Sequence, residues 1–218
     1  MKADLHIHTN LSYDGVSTPE QVLEMALERG MGCIAITDHN TVEAYDLVKG
    51  NGRVIVIPGV EVSSAEGHIL AYGISVDIPR DLPVKETIDL IHDAGGVAFA
   101  AHPYRWWSGL GEANVVNNGF DGIEALNSRS VKRDNMRSRR LAEGSGKPIS
   151  AGSDAHVPEH VGDGYVELPD DISCWEDALR AVMEGRAVPF SKDRRAAGTI
   201  KYGIKSIVQW IFRGFKRM

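Results

Sequence analysis

Cysteine is nearly absent from this 218-residue chain: Cys33 and Cys174 are the only two, far apart and in no CxxC pairing. That excludes a disulfide framework and a thiolate metal site, and it suits a reducing compartment. Long apolar runs are also missing. No stretch approaches the roughly 18 apolar residues of a spanning helix. Asp4, His6 and His8 interrupt the N-terminal region where a secretory leader needs unbroken apolar sequence, so the expected location is the cytoplasm. No GxSxG element supplies a serine nucleophile. Internal repeats and low-complexity tracts are absent too, and 43% apolar with 25% charged residues is the balance of an ordinary folded domain.

Net charge is −6, but it is unevenly spread. Residues 192–218 hold eight Lys/Arg and one acid, which leaves 16 basic against 29 acidic residues in the body. An acidic body favours cation binding and disfavours an extended nucleic-acid track. In the tail, Ile204, Ile207, Val208, Ile211, Phe212 and Phe215 share one helical face, with Lys201, Lys205, Arg213, Lys216 and Arg217 around them. This spacing predicts a basic amphipathic helix, packed on the body or on a second subunit, or laid against an anionic membrane or nucleic acid.

The body, residues 1–191, reads as alternating strands and helices. Expected strands are Ala3–His8, Cys33–Thr37, Val54–Pro58, Ile69–Tyr72, Val97–Ala101, Gly122–Leu126 and Pro148–Ala151. Thr18-Pro19-Glu20-Gln21 announces a capped helix that ends at Gly30. Further helices are expected at about Val42–Lys49, Val84–Ala94, Lys132–Glu143 and Trp175–Glu184. Glu61-Val62-Ser63 to Gly67-His68 reads as a hairpin excursion. About seven strand units favour an α/β barrel, whose functional residues gather at the carboxyl ends of the strands.

Ligand-type residues do follow these strands. His6 and His8 alternate on one face of the first. Asp14, His39, Glu61, His68, His102, Asp154 and His156 come after it, making nine imidazoles and carboxylates with no thiolate. That donor set suits Mn²⁺, Zn²⁺ or Fe²⁺ and is too large for one ion; three ions at three or four ligands each account for it if one carboxylate bridges. Asp38, beside His39, can be a ligand or the partner that orients an imidazole. His92 lies in a helical stretch and reads as surface, and His160 reads as a loop residue.

His6-x-His8-Thr9, Ser12-Tyr13-Asp14-Gly15, Thr37-Asp38-His39-Asn40, Gly59-Val60-Glu61, Gly67-His68-Ile69-Leu70, Ala101-His102-Pro103 and Ser153-Asp154-Ala155-His156 resemble the PHP (polymerase and histidinol phosphatase) phosphoesterases over about residues 1–190. The resemblance implies a distorted (β/α)₇ barrel and a trinuclear metal site that hydrolyses phosphoesters. It places His6, His8, Glu61 and Asp154 on one ion, and Asp14, His39 and His156 on a second. Glu61 would bridge to a third ion completed by His68 and His102, and Asp38 would stand behind the ligands. Glu61, Asp154 and His156 are the expected catalytic groups.

Relatives with a large insertion between the positions of His68 and His102 carry a cap; here those two histidines are 34 residues apart, so an open pocket is expected. Arg105, Arg129 and Lys132 are the candidate substrate-binding cations, with Trp106 and Trp107 placed to stack on a flat group. The expected substrate is a small phosphomonoester or nucleotide. The alternatives are exonuclease action on nucleic-acid ends, C–N bond hydrolysis of the amidohydrolase type, or a non-catalytic metal-binding regulatory module.

Overall fold

In the computed structural model the described residues are 1–192, so the expected tail helix lies outside them. The order is β1 (Lys2–Ile7), α1 (Pro19–Glu28), β2 (Cys33–Ile36), α2 (Glu43–Val48), β3 (Ile55–Ser63), β4 (His68–Tyr72), α3 (Val84–Asp93) and β5 (Val97–Ala100). It continues with α4 (Gly111–Asn117), β6 (Gly122–Asn127), α5 (Lys132–Ser145), β7 (Ile149–Gly152), β8 (Gly164–Glu167), α6 (Trp175–Met183) and β9 (Val188–Ser191). Among the described residues no helix is long and apolar enough to cross a membrane.

All seven expected strands form, and among the described residues the sheet holds nine, in the order β7-β6-β5-β4-β3-β2-β1-β8-β9. Strands β8 and β9 are the correction to the seven-strand expectation. They extend the sheet antiparallel to β1 and to each other. The expected excursion is the antiparallel β3–β4 hairpin, with Ser63 opposite His68. Pairings β1–β2, β2–β3, β5–β6 and β6–β7 are parallel, as alternating strands and helices require. The sheet curls nearly closed where the segment after β7 meets β1: Asp154 N–H donates to His6 O at 2.7 Å and His8 N–H to Ala155 O at 2.9 Å.

Helix α1 begins as its sequence predicts, with Thr18 accepting from Gln21 N–H and the Gln21 side chain accepting from Thr18 N–H. Strands β1 to β7 are short apolar runs buried on both faces. Ile34, Ile57, Ile69, Leu70, Phe99 and Ile123 are almost wholly excluded from water, each such side chain contributing ~1.5–3 kcal/mol. Among the buried polar groups of those strands, His6, Glu61, His68 and Glu124 face one place.

Candidate metal centre

Strand ends and the loops after them carry all nine expected ligands into a single buried cluster. Glu61 is its hub. Its Oε1 lies 2.8 Å from His68 Nδ1 and 2.9 Å from His102 Nε2, while Oε2 lies 3.1 Å from His8 Nε2 and 3.2 Å from His6 Nε2. Asp154 Oδ1 stands 3.5 Å from His8 Nε2 and 3.8 Å from His6 Nε2. Asp14 Oδ2 lies 2.8 Å from His156 Nε2 and 3.9 Å from His39 Nε2.

Ligand atoms close enough to share an ion fall into four overlapping sets: His8, Asp14, His39 and His156; His6, His8 and Glu61; His6, His102 and Asp154; and His39, Glu61 and His68. The second ion's expected set is thus joined by His8, and His6 also reaches the His102 side.

The donors behind these groups determine what the centre can hold. His6 Nδ1 donates to Glu124 Oε1 at 2.9 Å, which turns its Nε2 toward the centre. Ser12 Oγ donates to Asp38 Oδ1 at 2.8 Å and accepts from His39 N–H, which makes His8 Nδ1, 3.2 Å away, the donor to that oxygen. His8 Nε2 therefore faces the centre as well. Two imidazole nitrogens 3.0 Å apart, with a carboxylate oxygen against both, make a place for positive charge that a divalent ion can fill. His39 Nδ1, His102 Nδ1 and Asp14 Oδ1 are buried without hydrogen-bond partners. The donor set fits divalent metal.

Electrostatics agree. Burial opposes protonation of His6, yet Glu124, Glu61 and Asp154 hold it well above the ordinary imidazole value. Burial likewise opposes a charge on His8, but Asp154 and Glu61 lift it to about 9. This is where a positive charge is wanted. Burial, then Arg129 and His8, push His156 down to about 4; burial, then Arg105, does the same to His102. Burial works against an ionised Asp154, and Arg129 and Arg105 overcome it, keeping the carboxyl well below its usual range.

Arg105 is buried: its Nη2 donates to Asp154 Oδ2 and Asn127 Oδ1, each at 2.7 Å. Arg129 Nη1 lies 3.0 Å from Asp154 Oδ1 and 2.7 Å from His156 Nε2. Lys132 is exposed at the start of α5 and is not brought into these contacts. Asp38 sits behind the cluster, accepting from Thr9 N–H, Thr9 Oγ1 and Ser12 Oγ. His92 is exposed and paired with Asp121, and His160 is paired with Asp163; both lie apart from the cluster.

Two carboxylates escaped the sequence reading. Glu124 orients His6 and accepts His102 N–H at 2.7 Å. Asp4 accepts Ser153 N–H and Gly162 N–H, tying β1 to the loops that carry Asp154 and His156. The available signal was an acid inside an otherwise apolar strand, in Ala3-Asp4-Leu5 and Ile123-Glu124-Ala125.

The PHP-associated family model matches residues 132–187. Uncharacterized protein MJ1587 of Methanocaldococcus jannaschii is 39% identical over 143 residues, covering 59% of this chain and 82% of that protein. The 5′-3′ exoribonuclease Rnm of Salmonella typhimurium is 40% identical over 95 residues; the match covers 38% of this chain and only 32% of the exoribonuclease. A two-domain protein from Bacteroides vulgatus, containing a predicted PHP-like metal-dependent phosphoesterase, shares the fold with a TM-score of 0.73 at 18% identity. That similarity covers 88% of this chain and 64% of the other. A nearly closed α/β barrel, a buried imidazole–carboxylate cluster at its strand ends and these relatives lead to one conclusion: the chain belongs to the PHP domain family of metal-dependent phosphoesterases.

Proposed function

We propose that the nine clustered groups hold three divalent ions, Mn²⁺, Zn²⁺ or Fe²⁺, and that the loaded centre hydrolyses a terminal phosphate ester of a nucleotide or a nucleic-acid end. The observation that carries this reading is the position of Glu61. One of its oxygens faces His68 and His102 and the other faces His6 and His8, so this carboxylate could serve an ion on either side. His8, Asp14, His39 and His156 form a further set that could hold another ion, sharing His8 and His39 with the sets around Glu61.

Bound divalent cations supply a water activated near neutral pH and offset charge growing on the phosphoryl oxygens. The chain's own residues do the rest. Asp154 is kept ionised by two arginines, so it faces the centre as an acceptor throughout. Arg105 is spent on holding Asp154 and Asn127, which makes it a positioning residue. Arg129, partly open to solvent and against both Asp154 and His156, is the cation placed to meet a substrate phosphate. Glu61, Asp154 and His156 surround the reacting phosphate in this scheme.

Support for an open pocket comes from the segment between His68 and His102. It builds only barrel elements, β4, α3 and β5, and contributes no cap. The nucleic-acid reading is supported by the exoribonuclease relative, within the third of that protein that this chain matches.

The test is a turnover panel on metal-loaded protein: p-nitrophenyl phosphate, nucleotides, sugar phosphates, bis(p-nitrophenyl) phosphate and 5′-phosphorylated oligonucleotides. Release of phosphate from nucleotide or oligonucleotide ends is expected. Silence on every phosphoester, with the ions bound, would overturn the proposal.

A further inference from the structure

We propose that Trp106, Tyr104, Arg133 and Arg137 form a ridge beside the metal centre that binds a short single-stranded nucleic acid leading away from it. The inference rests on the phosphoesterase reading above and names the part of the substrate that lies outside the reacting phosphate.

Trp106 is 89% exposed, although tryptophan is ordinarily well covered. Its loop cannot fold it inward. Backbone N–H groups of Arg105, Gly109 and Gly111 donate to His102 O, Arg105 O and Pro103 O at 2.8–2.9 Å, and Ser108 O accepts from His68 N–H. A Cβ on Gly109 would run into the carbonyl oxygens of Pro103 and Arg105. The loop is therefore a closed, tightly wound platform with the indole at its tip. It is anchored in the centre at both ends of a short stretch: it begins at His102, and Arg105, one residue before the indole, bonds Asp154.

Cations continue the ridge onto α5. The Arg137 guanidinium lies 3.8 Å from the centre of the Tyr104 ring, a stacked cation–π contact. Arg133 is one turn earlier on the same helix face. Asp134 lies among them; burial raises its carboxyl, and Arg137, Arg133 and Arg105 are near enough to oppose the rise. Arg133 and Arg137 form no ion pair with any other described residue.

An exposed indole for a base and arginines outside any ion pair with the described residues, for phosphates, are the two components of sequence-tolerant single-strand binding. The net charge of −6 confines such a track to a few nucleotides. A lipid surface fits less well. The exposed face of α5 carries Lys132, Arg133, Arg137, Arg140 and the Arg139–Glu143 pair, with Met136 its one large apolar residue, whereas an interfacial helix needs an apolar face.

The test uses full-length, metal-loaded protein and a short fluorescein-labelled strand with phosphorothioate linkages, read by anisotropy. Trp106→Ala should weaken binding about tenfold, the size of one lost stacked base, and Trp106→Phe should stay within about twofold of wild type. Arg133→Ala and Arg137→Ala should each reduce the slope of log K against log salt by about 0.7. In turnover, Trp106→Ala should lower kcat/KM for a 5′-phosphorylated strand about tenfold relative to that for p-nitrophenyl phosphate.

Wild-type affinity in Trp106→Ala would overturn the ridge. So would Trp106-dependent capture by phosphatidylglycerol vesicles without strand binding. Strand binding that depends on Trp106 in a protein inactive on every phosphoester would sustain the ridge and overturn the phosphoesterase reading instead.

Discussion

Glu124 and His6, 118 residues apart in the chain, are joined by a fully buried 2.9 Å contact from Nδ1 of the imidazole to Oε1 of the carboxylate. The other Glu124 oxygen accepts the His102 backbone N–H at 2.7 Å. His102 sits in the left-handed region at φ 27°, a costly conformation for a residue with a Cβ. One side chain on β6 thus sets the tautomer of His6 and holds the backbone that presents His102.

Glu124→Gln tests this directly. The amide can donate to the ring where the carboxylate accepted, which releases or reverses the His6 tautomer. Metal affinity should fall by roughly 10–100-fold, the range for loss of a group that orients a ligand. Metal titration followed by elemental analysis checks it; full occupancy at wild-type affinity would contradict the role.

Asp154 carries more than its share of the site, since it balances Arg105 and Arg129 as well as facing His6 and His8. Asp154→Asn should therefore reduce turnover by more than the roughly 100-fold upper end for an orienting group. It should also destabilise the fold by about 3 kcal/mol, because two largely buried guanidinium groups lose their counter-charge. Urea unfolding measures the second effect. His8→Ala, which strands no arginine, should abolish turnover with a smaller loss of stability.

Chelation should lower the melting temperature strongly. Six imidazoles and three carboxylates are gathered here, and cations that bind only the folded state stabilise it by ~4 kcal/mol per ion at a thousandfold excess over Kd. Purified protein should hold more than one equivalent of metal, with the melting temperature recovering on return of Mn²⁺ or Zn²⁺. Elemental analysis and calorimetry before and after EDTA would settle the point. An unchanged melting temperature would count against resident ions.

Cys33 predicts an alkaline effect away from the centre. Complete burial pushes its thiol up to about 12 from the ordinary thiol value of 9.0. The folded state keeps a proton that the unfolded chain releases, so this stabilising contribution is full below pH 9 and is lost as pH rises toward 12. The slope within that window is about 1.4 kcal/mol per pH unit. Cys33→Ala should flatten the pH dependence of unfolding between pH 9 and 11. Cys33 should also resist alkylation until the chain unfolds.

Much of this molecule was legible as pattern. Apolar runs at regular intervals marked β1 to β7, Thr18 and Gln21 marked the start of α1, and a ligand-type residue after most strands marked the centre. What escaped has identifiable causes. Strands β8 and β9 are four residues each with half-exposed faces, and Pro189 disguises the second as a turn. Helix α4 lacks a side-chain cap to announce it. Arg105 read as a cation reaching for substrate, and the structure buries it against Asp154, 49 residues away.

By itself the sequence determined the chemistry of the donors, their order along the chain and the alternation that makes a barrel, because these follow from residue type and local periodicity. Only the tertiary structure decided which atoms meet. Closure of the sheet by Asp154 N–H on His6 O brings the last ligand loop against the first strand. Gly152 permits it, since a Cβ there would collide with the His6 backbone and Cβ. That approach surrounds His6 and His8, two imidazoles on one strand face with their Nε2 atoms 3.0 Å apart, with carboxylates and makes a place for positive charge. No local pattern encodes it, because the groups that orient those rings, Glu124 and the Ser12–Asp38 pair, reach them through space.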